Sequence, residues 1–130
     1  YFAFHRLGLE RRRAELVRRA ARVAPRLEAL APEGARTLMA AVPGIGPWTL
    51  AEVCRVAYGD ADAVSVGDYH VPSVVAWALA GERRADDARM LELLEPYRGQ
   101  RARVQRLLEA AGIFPPRRGP RTAPRQFRDQ

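Results

Sequence analysis

The sequence predicts an all-α fold in a single domain, and three observations lead there. Apolar residues recur at helical spacing in several segments, while strand-like alternation is almost absent. Ala and Leu dominate the apolar set, which favours helices packed in close approach. Pro and Gly punctuate the segments, Pro near their starts and Gly at their ends. One domain is the natural count for 130 residues. Such a chain can bury roughly two thirds of the surface it exposes when unfolded.

The elements follow in order. Gly8 ends a short apolar lead-in, and "LERRRAELVRRAARVA" then reads as an amphipathic helix. Its apolar stripe is Leu9, Ala14, Leu16, Val17, Ala20 and Ala21, with Arg on the other face. Pro25 is expected to kink or stop it, with "RLEALA" resuming for a turn and a half. "APEGARTLMAAV" carries Pro32 in a first helical turn and offers Leu38, Met39 and Ala41 to the core. After the elbow "PGIGP", Pro47 opens "PWTLAEVCRVAYG", which Gly59 stops. Leu50, Val53, Cys54 and Ala57 predict that this helix is largely buried. "DADAVSVGDYH" reads as a loop in which "AVSV" is a candidate extended stretch. "VPSVVAWALAG" is an apolar helix ended by Gly81; "ADDARMLELLEPY" starts with the acidic residues a helix dipole favours; "GQRARVQRLLEAAG" is the last helix. The helical domain spans residues 1–112, and 113–130 is a basic Pro- and Arg-rich tail expected to lack regular structure. The abrupt start at Tyr1 predicts a fragment of a longer, N-terminally more extended protein.

Composition narrows the chemistry. The net charge is +7, and all 22 basic residues are Arg. A polyanion is the expected partner, because the guanidinium fork matches phosphate oxygens. Codon bias in a GC-rich genome accounts for Arg in place of Lys but not for the sign of the charge. With no Lys, no side-chain amine can form a Schiff base. Cys54 is the only cysteine, so this chain can form neither an intrachain disulfide nor a four-cysteine iron–sulfur or zinc site. It reads as a small buried apolar residue. His5 and His70 are too few for a metal site, and no stretch reaches membrane-spanning length.

Two features carry chemistry. The first is the elbow "VPGIGPWTLAEV", residues 42–53. A simple reversal needs one glycine, and here there are two. Main-chain N–H groups at Gly44, Ile45 and Gly46, leading into a helix start that includes Thr49, form an anion cradle for a phosphate. The alternative is an αα-corner that needs positive φ at both glycines. The second feature is Asp68 in "VGDYHVP", 20 residues past Trp48, where a loop enters a helix. It is a good N-cap. A helix N-terminus also keeps a carboxylate ionised, as stabilisation of a cationic transition state requires. His70 beside it does not make a catalytic dyad, since neighbouring residues at a helix start point in different directions.

Taken together, "MAAVPGIGPWTLAEV" and "DADAVSVGDYHVPSVVAWALAG" resemble the helix-hairpin-helix-GPD superfamily of DNA glycosylases, most of all the bacterial 3-methyladenine DNA glycosylase II group. The similarity runs from about Leu7 to "EPYRGQRARVQRLLEAAG". The resemblance implies a helix-hairpin-helix-GPD helical domain that flips alkylated purines out of double-stranded DNA in base excision repair. It matches the family's hairpin glycines to Gly44 and Gly46 and its catalytic aspartate to Asp68. It implies a K⁺ or Na⁺ ion held by the carbonyls of Ala40, Val42 and Ile45, with no cofactor for the chemistry. It also implies a monomer in the bacterial cytoplasm, associated with the nucleoid. Where the lyase branch has a nucleophilic Lys after the hairpin, this chain has Trp48, which implies a monofunctional enzyme. The lone cysteine argues against the iron–sulfur branches.

An alkylated purine already carries positive charge and leaves as a neutral base, so a single carboxylate can suffice where ordinary glycosidases need two. Trp48 and Tyr69 are candidates to stack on such a base. Glu52 stands where the group often has an aromatic, and so falls at the base pocket. Arg98, Arg101 and Arg103 are either phosphate contacts or a solvated face, and the five tail arginines would add non-specific DNA affinity. Two other classes stay open: a non-catalytic helix-hairpin-helix module in which Asp68 is only a cap, and a helical protein-interaction domain. Geometry separates the first from the enzyme. A catalytic Asp68 opens beside Trp48 on the face of the hairpin, whereas a pure cap is absorbed by its own helix.

Overall fold

A computed structural model describes residues 2–116 of the chain. Tail arginines Arg117, Arg118, Arg121, Arg125 and Arg128, with nearly all of the predicted tail, lie outside the described residues. Among the described residues the regular structure is entirely helical: α1 Phe2–His5, α2 Arg11–Glu28, α3 Pro32–Ala40, α4 Pro47–Ala57, α5 Val71–Ala80, α6 Asp87–Leu94 and α7 Arg101–Ala110. A 3₁₀ turn, Glu95–Tyr97, joins the last two. No helix here is long and apolar enough to cross a membrane.

Start and stop chemistry sets these boundaries. Pro occupies the first turn of α3, α4 and α5, where a missing N–H costs no helical bond. Asp86 caps α6 by accepting the Arg89 N–H at 2.9 Å. Gly81 ends α5 in the left-handed region, at φ 70°.

Four local expectations are corrected. Pro25 neither stops nor divides α2, which runs through it to Glu28. Pro25 is exposed, and so is Ala21, whose carbonyl loses its helical partner to the proline ring and can turn to water. Ala41 and Ala57 are exposed rather than in the core; from α3, Met39 is buried as expected and Ala35 joins it. "AVSV" is not a strand: Val64 N–H bonds the Asp62 carbonyl at 3.0 Å and Val66 N–H the Val64 carbonyl at 2.9 Å, which coils the segment too tightly to pair.

Two apolar clusters make the core. Met39, Ala51, Cys54 and Ala63 form one, flanked by Leu27, Ile45, Leu50 and Val53 from α2, the elbow and α4. Val64, Val71, Val75, Met90 and Leu94 form the other, with Val104 and Leu108 of α7 packed on it. Adjacent loop residues Ala63 and Val64 therefore go to different clusters, and the 58–70 loop is the seam between them.

Candidate functional site

The elbow takes six residues, 41–46, to turn α3 into α4. Val42 N–H bonds the Met39 carbonyl at 3.0 Å, Ile45 N–H bonds the Val42 carbonyl at 3.1 Å, and Leu50 N–H bonds the Gly46 carbonyl at 2.9 Å. Its two glycines differ in kind. Gly44 has φ +101°, and a Cβ there would meet Leu16 Cδ1 at 3.2 Å, so the fold itself requires glycine. Gly46 has φ −90° and ψ 175°, open to any residue, and a Cβ there would meet nothing within 4 Å. The corner with two positive-φ glycines is thus not what forms. Nothing internal explains the bare backbone at Gly46, while an external group approaching the main chain would.

Much of the elbow's main-chain bonding capacity is unspent. Among the described residues, the N–H groups of Gly44, Gly46, Trp48 and Thr49 have no hydrogen-bond acceptor, whereas the Ile45 N–H, expected in the cradle, is spent on the Val42 carbonyl. Gly46, Trp48 and Thr49 lie at the start of α4, whose dipole favours an anion. The Thr49 side chain lines an apolar groove between α2 and α4, so only its main chain belongs to the cradle. The carbonyls of Ala40 and Ile45 accept no bond among the described residues, and that of Val42 accepts one. Neutral oxygens with spare lone pairs are the donor type a hard monovalent cation takes.

Asp68 joins the elbow through one side chain. Its Oδ2 accepts the Trp48 indole N–H at 3.0 Å, and its Oδ1 accepts the N–H groups of His70 at 2.7 Å and Val71 at 3.0 Å. Asp68 is thus not the N-cap itself: His70 holds that position without a side-chain cap, and one Asp68 oxygen ties the chain's entry into α5 from two residues earlier, while the other faces the first turn of α4. Asp68 is half-buried, Trp48 is 44 % exposed and Tyr69 is 89 % exposed. Partial burial pushes the Asp68 carboxyl up. The His70 and Val71 N–H groups, the Trp48 indole and the charge of His70 more than offset this, holding it below the ordinary 3.8 and ionised at neutral pH. The preceding residue is braced as well: Gly67 N–H is held by both oxygens of Asp87, at 3.2 and 3.0 Å. At φ +89°, Gly67 lets the backbone pass beneath Trp48 Cβ. Tyr69 meets the His70 ring edge-on, with centroids 4.8 Å apart.

Glu52 belongs to a different constellation. It accepts the Ser65 hydroxyl at 2.6 Å and pairs with Arg55 at 2.5 Å. Burial raises its pKa, but Ser65 and Arg55 outweigh that and leave it below 4.5. Ser65 also donates its N–H to Gln105 Oε1 at 3.1 Å and accepts Gln105 Nε2 at 3.0 Å, which in turn reaches Glu109. Glu52 makes no direct bond to Trp48 or Asp68 and reaches Asp68 only through Ser65, whose carbonyl accepts the Asp68 N–H. Arg101 is committed to Asp62 and Arg98 to Glu95, whereas Arg103 is exposed.

Sequence reasoning missed the braces Asp62, Ser65, Asp87 and Gln105. Gln105 did leave a signal: it lies three residues from both Ala102 and Leu108, a polar group on an apolar face. No protein-family model, curated protein or solved structure matches this chain.

Proposed function

We propose that the chain is the helix-hairpin-helix-GPD helical domain of a monofunctional DNA glycosylase that releases alkylated purines of the 3-methyladenine type from double-stranded DNA. The observation that carries this reading is the Trp48–Asp68 hydrogen bond. It sets an ionised carboxylate one indole away from a helix start with free N–H groups. In the mechanism, Gly46, Trp48 and Thr49 N–H groups hold a backbone phosphate beside the lesion. The extruded base, already cationic, stacks against Trp48 and Tyr69. Asp68 stabilises positive charge at C1′ as the N-glycosidic bond breaks, or orients the incoming water. The carbonyls of Ala40, Val42 and Ile45 would hold a K⁺ or Na⁺ ion, which would supply positive charge for a DNA phosphate. With no Lys in the chain, the product is an intact strand with an abasic site. A monomer in the bacterial cytoplasm completes the reading.

The test is base release from methylated duplex DNA by the full-length protein and its Asp68→Asn variant. Loss of an electrostatic stabiliser lowers the single-turnover rate by about 10²–10³-fold with duplex affinity retained. An unchanged rate removes Asp68 from the chemistry. A second reading, a non-catalytic helix-hairpin-helix DNA-binding module, draws on the two N–H groups that Asp68 holds. It expects no base release from either protein and equal duplex binding by both.

A further inference from the structure

The elbow borders a second cationic feature. On its α2 side lies a cleft of about 500 Å³, walled by Glu10, Arg12, Arg13 and Arg19 and by Pro43 and Gly44 of the elbow itself. Arg19 Nη1 donates to the Pro43 carbonyl at 3.2 Å, which ties the cleft to the turn and leaves most of the guanidinium donors unused. Arg12 has no side-chain partner among the described residues. Arg13 is held only by Glu10, at 3.2 Å, in a pair that is largely exposed. Glu10 is the one acidic wall of the cleft, so its field is positive.

We infer that this cleft is a second backbone-phosphate site, gripping the strand that the elbow N–H groups hold, on the far side of Pro43 and Gly44. The inference rests on the DNA-binding reading above and extends its footprint to α2. The spacing fits. Arg12 and Arg19 are seven residues apart on one helix face, about 10 Å along the axis. One strand of B-DNA carries a charge about every 3.4 Å of axis, so that span meets about three phosphates. The charge also fits, since Arg offers forked donors suited to phosphate and three of them converge beside a turn whose Gly44 and Gly46 N–H groups have no acceptor among the described residues. Such contacts read no bases, and the site adds affinity for damaged and undamaged duplex alike.

The experiment is a salt titration of duplex binding, by fluorescence anisotropy on an undamaged labelled duplex. It compares the parent protein, a variant with Arg12, Arg13 and Arg19 all changed to Ala, Arg26→Ala on the same helix, Glu10→Gln, and Gly46→Val. The triple variant lowers the slope of log K against log salt by about 2–3, near 0.9 for each phosphate no longer neutralised. Arg26→Ala leaves the slope unchanged. Glu10→Gln, which frees Arg13 and removes the only anionic wall, tightens binding roughly two- to five-fold. An unchanged slope in the triple variant, with binding lost in Gly46→Val, overturns the cleft and leaves the elbow standing. An equal drop in Arg26→Ala overturns it too, in favour of a diffuse field. A parent protein that does not bind duplex DNA overturns the cleft and the glycosylase reading together.

Discussion

Asp62 and Asp68 show how one residue type does different work a few positions apart. Asp62 is an anchor. The Arg101 guanidinium, and the N–H groups of Arg101 and Gly99, lower its pKa from 3.8 to about 2. A carboxylate depressed in the folded state adds stability that is full above the unfolded value and is lost as pH falls through the folded one. For Asp62 that window runs from about 4 down to about 2, and the contribution is about 1–2 kcal/mol once solvent screening is allowed for. Asp62→Asn is therefore expected to lower stability by about that much at neutral pH and to flatten the acid limb below pH 4, as urea midpoints measured from pH 7 to 2 will show. Asp68 has the same sign of shift but holds its indole donor at an exposed face. Its position was legible in the sequence because "VGDYHVP" reads as a loop running into a helix. Its second bond was not, since no local pattern encodes that Trp48 Nε1 lies 3.0 Å from a residue 20 positions on.

The elbow and α4 are the element whose design separates folding from binding. Gly44→Ala puts a Cβ at φ +101° and 3.2 Å from Leu16 Cδ1, which is expected to destabilise the protein by about 1–2 kcal/mol. Gly46→Ala meets no neighbour and needs no unusual φ, so it changes stability by no more than about 0.5 kcal/mol. The proposed cradle reverses the order for binding: the added methyl at 46 stands where a phosphate would lie and weakens duplex affinity, while Gly44→Ala acts mainly through stability. Thermal melts and anisotropy on both variants check this, and a Gly46→Ala protein that binds duplex normally would count against the cradle. Helices and their ends were largely readable from Pro and Gly positions, because those constraints are local. The stop expected at Pro25 does not occur: the carbonyl it strands, at Ala21, is exposed and can turn to water, and that exposure is a tertiary property.

At the scale of the whole molecule, the candidate site lies on a seam. Trp48 rides on α4, which helps build one apolar cluster, and Asp68 leads into α5, which builds the other. Their register depends on how the 58–70 loop is fixed between the clusters, and the fixings are polar. Gln105, 2 % exposed, holds both the N–H and the hydroxyl of buried Ser65, which also reaches Glu52 on α4. The Ser65 carbonyl in turn accepts the Asp68 N–H at 3.3 Å. Gln105→Leu keeps the bulk of the side chain but strands the Ser65 N–H, a buried donor whose loss of partner costs about 1–3 kcal/mol. The effect should be local as well as global. Amide exchange at residues 65–70 is expected to accelerate well beyond that of α6, whose own cap at Asp86 is untouched. If the site works as proposed, base release falls with it, although Gln105 touches neither Trp48 nor Asp68. Duplex affinity holds, because neither Ser65 nor Gln105 bonds to the elbow or to the walls of the α2 cleft. Uniform acceleration across all helices would instead mean that Gln105 contributes only to general stability, and that the loop carrying Asp68 is positioned by the apolar clusters alone.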